Sequence, residues 1–271
     1  RGDGAGSTLS THVPLADPRP AGPSAGHAPR PTARLDAIKL VLVINRADRP
    51  KRLANAAKQL GALGLTFRVV RAVMPDDARN ADRHGVVVGH PRLKLARGSF
   101  DEVGAYTWGT IACYLSHLEA WRQLLSSPFD EALILEDDVE LTRDAGERYE
   151  DIMREAPAGY DAMFLGWLKL RHTRTAESAK FLRMRGRWWG TQAYVIRRRF
   201  AAAALATALP VEFQIDAYLG TKLAQEGTWR AYAPTVSWAG QGAFTSDVQV
   251  PRRPAADRMA MRRLDVSSER L

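Results

Sequence analysis

The chain has 271 residues, 45% of them hydrophobic and 25% charged, with a formal net charge of +9; that is enough apolar material for one sizeable core. No stretch approaches the ~20 consecutive apolar residues of a membrane-spanning helix, and with Cys113 as the only cysteine an internal disulfide and a thiolate metal cluster are both excluded. A soluble, cytoplasmic protein is expected, with peripheral attachment to a membrane as the alternative.

Residues 1–37 are rich in Pro, Gly, Ala and Ser with no apolar periodicity. Such a segment cannot bury enough surface to offset its ordering entropy, so a disordered tail is expected. At Ile38 the texture changes. "IKLVLVIN" reads as a buried strand of the parallel kind, and Pro50 then opens a helix, "KRLANAAKQLGAL", that stops near Gly64. "LTFRVVRAV" is a second strand, which completes a βαβ unit and points to an α/β fold. Residues 75–108 read as a long irregular loop. The spacing of "GTIACYLSHLEAWRQLL", 109–125, predicts a helix whose apolar arc holds Ile111, Tyr114, Leu118 and Trp121 and takes in His117.

After that helix comes "EALILEDDVEL", 131–141, in which an apolar strand runs straight into Glu136, Asp137 and Asp138. A helix is expected at 146–155, then the strand "YDAMFLGW", a basic arm, the strand "TQAYVI" and an alanine-rich helix from Arg199. The helix "EFQIDAYLGTKLAQ" and the short strand "WRAYA" follow, and "TVSWAGQGAFTSDVQV" reads as loop. Residues 251–271 form a basic tail, leaving 38–250 as the folded domain. Between Ala162 and Val211 ten Lys or Arg face a single acid, Glu177. That field suits an anionic partner such as nucleic acid, lipid or a phosphorylated small molecule, or it is a solvated helix and loop face.

Three adjacent carboxylates repel one another unless something neutralises them. In open α/β sheets ligands gather outside the carboxyl ends of parallel strands. Strand alternation puts Glu136 and Asp138 on one side and Asp137 on the other. With oxygen ligands only, and no His or Cys close by in the chain, the expected ion is Mg²⁺ or Mn²⁺ rather than Zn²⁺. The ion would anchor a nucleotide diphosphate. A solvated acidic turn is the plainer alternative.

Four blocks in order make the chain resemble glycosyltransferase family 25. "INRADRPKR" (44–52) is similar to that family's I-N-L-D-R-R-P-D-R, and "GTIACYLSH" (109–117) to G-E-I-G-C-A-L-S-H. "LILEDDV" (133–139) matches its acidic motif, and "GTQAYVI" (190–196) is similar to G-T-H-A-Y-L-I. "IDAYL" (215–219) and "QGAFTSD" (241–247) are weaker counterparts. The resemblance implies a GT-A-type domain with a mixed, mostly parallel sheet, and an inverting transferase that uses a divalent metal, with UDP-galactose as the commonest donor. Arg46 and Ala47 stand where the family has Leu-Asp, Ala112 where it has glycine, and Gln192 where it has histidine.

Site candidates follow from both lines of reasoning. Glu136 and Asp138 are candidate metal ligands, and Asp137 is a further donor contact. Asn45, Arg49 and Arg52, at the end of the first strand and the start of its helix, would face the nucleotide; a charged helix surface is the plainer role for the arginines. Ser116 and His117 are candidates for ordering the donor sugar, against a satisfied buried histidine. Asp216 is the first choice for the base that takes the acceptor proton, against simple helix capping. Asp247 is its rival and Glu212 third. Trp188 and Trp189 would stack on a ring or fill the core, and Arg183, Arg185 and Arg187 would attract an anionic glycan or glycoprotein acceptor. Two readings of other classes stand beside the enzyme: a nucleic-acid-binding protein built on the basic arm, and an inactive glycan-binding homologue.

Overall fold

In the computed structural model, the described residues are Leu35, 38–82, 108–168, 174–186 and 188–244, and all of them belong to one compact unit, Thr32–Leu271. Apart from Leu35, the predicted N-terminal tail lies outside them, as do the predicted basic C-terminal tail, Asp247 and Arg187.

The first βαβ unit forms as its sequence predicts. Strand β1 (Val41–Asn45) is buried throughout and pairs in parallel with β2 (Arg68–Arg71) and β3 (Glu131–Glu136). Helix α1 (Pro50–Ala62) begins at Pro50, whose fixed φ suits a first turn. Where an irregular loop was expected after Met74, helix α2 (Pro75–Asp82) forms instead, with Asp76 and Asp77 favourably placed at its positive end. Helix α3 (Trp108–Ser126) covers the predicted segment.

The ribbon strands β4 (Val139–Leu141) and β10 (Ala239–Gln241) pair antiparallel, so part of the expected C-terminal loop is strand. Between them in the chain come α4 (Ala145–Glu155), β5 (Ala162–Gly166), β6 (Arg174–Ala176), β7 (Phe181–Met184), β8 (Ala193–Arg197), α5 (Arg198–Ala206), α6 (Ile215–Glu226) and β9 (Ala231–Pro234). The basic arm is thus largely a hairpin, β6–β7, added to the sheet edge beside β9.

Among the described residues the main sheet has the order β2-β1-β3-β8-β5-β9-β7-β6. β2, β1, β3, β5, β9 and β6 run one way, and only β8 and β7 are reversed. This is the mixed, mostly parallel sheet expected from the sequence. Period-two alternation divides the core cleanly. Leu42, Ile44, Ile134 and Tyr194 face α3, α5 and α6, while Val41, Val43, Leu133, Leu135 and Val195 face α1 and α4. The helix α3 is buried on most of its circumference, from Ile111 through His117 to Leu124, because α2 and α5 cover what the sheet does not.

One consequence bears on the site. The reversal of β8 brings its start, Thr191 and Gln192, beside the carboxyl end of β3. Asn45, Glu136 and Gly166 end their strands at that same edge.

Candidate active site

Glu136 keeps the parity of Ile134, so its side chain points toward α3. The chain then turns, and the predicted alternation stops there. Asp137 Oδ2 accepts a 2.7 Å hydrogen bond from Asn45 Nδ2, and its Oδ1 accepts one of 3.1 Å from Arg52. Asp138 faces the β4–β10 ribbon, where its Oδ2 accepts from Gln241 Nε2 at 2.9 Å and its backbone carbonyl accepts from Gly242 N at 2.6 Å. Arg52 reaches Asp138 as well, at 3.8 Å, and lies over the Phe244 ring.

The predicted nucleotide contacts have partners within the fold. Asn45 and Arg52 are buried and hold Asp137, so Asp137 is an internal counter-ion rather than an open ligand. Arg49 is more exposed and pairs with Asp48 at 3.2 Å. Arg46, one of the departures from the family pattern, forks onto the same carboxylate at 2.8 and 3.0 Å and is the main cause of its lowered pKa. Ser116 is buried. Its hydroxyl donates to Ala112 O and accepts from Val73 N, which ties the end of β2 to α3.

The expectation of no histidine or cysteine nearby is corrected by folding. Cys113 and His117, one turn apart on α3, stand against Glu136, and the ligand atoms of the three lie within 4.8 Å of one another. His117 is fully buried. Its Nε2 lies 3.5 Å from Glu136 Oε1, and Thr191 Oγ1 donates to that same oxygen at 2.8 Å. The Cys113 thiol is pushed well up by burial and then by the charges of Glu136, Asp216 and Asp138, so it stays protonated beside them.

The carboxylates separate in character. Burial works against the charge of Glu136, but its neighbours His117, Thr191 and Arg52 together bring its pKa below the ordinary value. Asp138 is pushed up to about 7, first by burial and second by the charge of Glu136. Among the described residues its Oδ1 is buried with no hydrogen-bond partner, and so is Gln192 Nε2. An orphaned acceptor and an orphaned donor at one sheet edge are uncommon in a folded interior, and a ligand offering a partner to each would satisfy them. Gln192 entered the sequence reading only as a departure from the family pattern, and nothing in its local sequence marks an unsatisfied amide.

Asp216 completes this edge. It lies in the first turn of α6, with Oδ2 accepting from Gly190 N at 3.0 Å and Oδ1 from Ala217 N at 2.7 Å. Burial raises its pKa. Glu212 is exposed. Gly190 holds φ at +101°, and a Cβ there would meet Gln192 Oε1 at 2.4 Å and Leu168 N at 3.0 Å. Gly190→Ala is therefore expected to cost about 1–3 kcal/mol from backbone strain and crowding; chemical denaturation measures it.

The aromatic pair splits: Trp188 is core, against Phe164, while Trp189 is 40% exposed. Much of the predicted basic field is structural. Arg198 donates to the carbonyls of Leu124, Leu125, Ser127 and Phe129 at the end of α3; Arg197 lies over Tyr160; Arg199 pairs with Asp161.

Residues 38–219 match the model of glycosyltransferase family 25 (LPS biosynthesis protein). The chain belongs to glycosyltransferase family 25. One relative is the lacto-N-neotetraose biosynthesis glycosyltransferase LgtE of Neisseria meningitidis serogroup B, 29% identical over 185 residues that cover 63% of this chain and 62% of that protein. Another is the mouse inactive glycosyltransferase 25 family member 3, 27% identical over 203 residues, 70% of this chain and 33% of that one. The family 25 match thus spans a third of the mouse relative and under two thirds of the bacterial one. Among solved structures, the galactosyltransferase LgtC with donor and acceptor sugar analogues aligns at a TM-score of 0.37 and 12% identity, over 70% of this chain and 72% of that one. No helix among the described residues is long and apolar enough to cross a membrane.

Proposed function

We propose that this family 25 protein is an inverting, metal-dependent glycosyltransferase that moves a hexose, with galactose from UDP-galactose the first candidate, to a hydroxyl of a glycan or glycoprotein. The observation that carries the reading is Asp138: a buried carboxylate with an unpartnered oxygen and a pKa pushed up to about 7 beside a second carboxylate. A hard divalent ion answers both conditions, because it supplies the missing partner and favours the ionised form.

Asp138 and Glu136 would hold a Mn²⁺ or Mg²⁺ ion together with the donor diphosphate. When bound, the ion supplies charge stabilisation for the departing diphosphate. The rest falls to the chain itself. Arg52 and Asn45 fix Asp137, and so the turn that carries Asp138. Gln192 Nε2 has a hydrogen bond to give to a donor oxygen. Asp216, with its pKa raised by burial, accepts the acceptor hydroxyl's proton as that oxygen attacks opposite the leaving group. Trp189 offers an apolar ring face at the rim, beside the Gly190–Asp216 contact.

Asp216→Asn is expected to lower kcat by about 10²–10⁴ while donor KM changes little, because the amide keeps one acceptor for Gly190. An equal fall in melting temperature and activity would instead mark Asp216 as only a helix anchor.

Thermal shift and donor hydrolysis across UDP- and GDP-sugars, each with Mn²⁺, Mg²⁺ or EDTA, test the reading. One sugar nucleotide that stabilises the protein and is slowly hydrolysed only with metal is expected. Donor binding without turnover would point to an inactive glycan-binding homologue. Salt-sensitive RNA binding with no donor response would point to the nucleic-acid class.

A further inference from the structure

Behind Glu136 runs a series of buried polar groups with no assigned role. Trp121 Nε1 donates to Tyr194 Oη at 3.0 Å, and Tyr194 Oη lies 2.8 Å from His117 Nδ1. His117 Nε2 lies 3.4 Å from Thr191 Oγ1, and Thr191 donates to Glu136 Oε1 at 2.8 Å. Trp121, Tyr194 and His117 are fully buried, and Thr191 nearly so. The series links α3, β8 and the end of β3.

Its direction follows from its two ends. An indole N–H can only donate, and an ionised carboxylate can only accept. Tyr194 takes the indole proton on its oxygen, so its own hydrogen needs an acceptor, and among the described residues His117 Nδ1 is the one within reach. Were Nδ1 protonated, the Tyr194 hydroxyl hydrogen would be buried without a partner, at a cost of about 1–3 kcal/mol. Nδ1 is therefore the acceptor and Nε2 carries the proton. Nε2–H then donates to Thr191, whose hydroxyl hydrogen goes to Glu136. Each donation polarises the next.

We propose that Trp121, Tyr194, His117 and Thr191 form a one-way donor chain that ends on Glu136, with His117 as a positioning residue that accepts at Nδ1 and donates from Nε2. The chain gives Glu136 Oε1 its hydrogen bond from Thr191 and leaves Oε2 as the oxygen for a substrate or cation. In this arrangement the imidazole nitrogen facing Glu136 carries a proton, so a soft metal at the Cys113, His117 and Glu136 group would have to displace it. This deepens the glycosyl-transfer reading, but the tautomer itself does not depend on that reading.

The test is a long-range proton–nitrogen correlation spectrum of the full chain labelled with ¹⁵N-histidine, with the His117 signals assigned by their loss in His117→Gln. The expected result is the pattern of a proton on Nε2 and a lone pair on Nδ1, and a shift of that pattern in Tyr194→Phe, which removes the hydroxyl but keeps the ring. An Nδ1–H or imidazolium pattern, or no change in Tyr194→Phe, overturns the proposal. A second arm compares His117→Gln, whose amide can place an N–H near the Nε2 position, with His117→Met, which has similar bulk and no donor. With the best donor of the sugar-nucleotide panel, the glutamine variant is expected within about tenfold of wild type and the methionine variant about 100-fold below it. Equal activity at equal melting temperature would reduce His117 to packing. If no donor is turned over, the nitrogen spectrum alone decides the tautomer, so loss of the transferase reading and loss of the donor chain are separate results.

Discussion

Asp138→Asn is expected to abolish metal-supported transfer, by at least about a thousandfold in kcat/KM, while making the metal-free protein more stable. The loss follows if the residue holds an ion that stabilises the leaving diphosphate, since a thousandfold is about 4 kcal/mol of transition-state stabilisation. The gain follows from burial. Burial pushes the carboxyl's pKa up to about 7 from an ordinary value of 3.8, so between these two values the folded state binds more protons than the unfolded one. Stability of the wild type therefore falls as pH rises from about 4 to about 7. An asparagine carries no charge to bury and still offers an oxygen to Gln241. In EDTA, the variant is expected to be about 1–3 kcal/mol more stable than wild type at pH 8, with the difference vanishing only below about pH 4. Urea denaturation at the two pH values reads this directly. A variant that is inactive and also less stable at pH 8 would mean that Asp138 is a structural carboxylate.

Arg52→Ala carries the largest expected loss of stability. The guanidinium is buried with Asp137 at 3.1 Å and Asp138 at 3.8 Å, and removing it leaves two carboxylates in low dielectric without their cation. Breaking a buried pair in this way costs about 3–5 kcal/mol, a fall of about 10 °C in melting temperature for a domain of this size. The loss is expected to be greatest above pH 7 and to shrink as acid neutralises the stranded carboxyls. Asp137→Asn in the same chain is expected to restore part of it, because the two residues are directly coupled. A loss below about 1 kcal/mol, or one independent of pH, would contradict the assignment of Arg52 as the counter-ion of the acidic turn.

The contrast between these two residues marks what the sequence could convey. Hydrophobic alternation and turn chemistry were enough for β1, α1, α3, β3 and β8, since each buries a face that its own residues declare. The site edge was legible as far as Glu136. Strand parity does not survive a turn, so the pairing of Asp137 with Asn45 and Arg52 was not readable from spacing. Arg52 resembled a nucleotide ligand because it lies at a helix start, and its true partner is 85 residues away in the chain. The approach of Cys113 and His117 to Glu136 depends on how α3 packs on the sheet. The donor chain needs β8 reversed, which nothing in "GTQAYVI" specifies. Arg198 reads as surface charge in a run of three arginines, yet it closes the end of α3. Helix α2 was hidden because its eight residues carry few apolar side chains to signal a period.

The most direct test of the central claim is manganese binding followed by electron paramagnetic resonance, with and without UDP-galactose, in wild type and in Asp138→Asn. One bound ion per chain, tightened by the sugar nucleotide and lost in the variant, is the predicted result. Manganese bound equally well by Asp138→Asn, or UDP-galactose bound equally well in EDTA, would contradict the account.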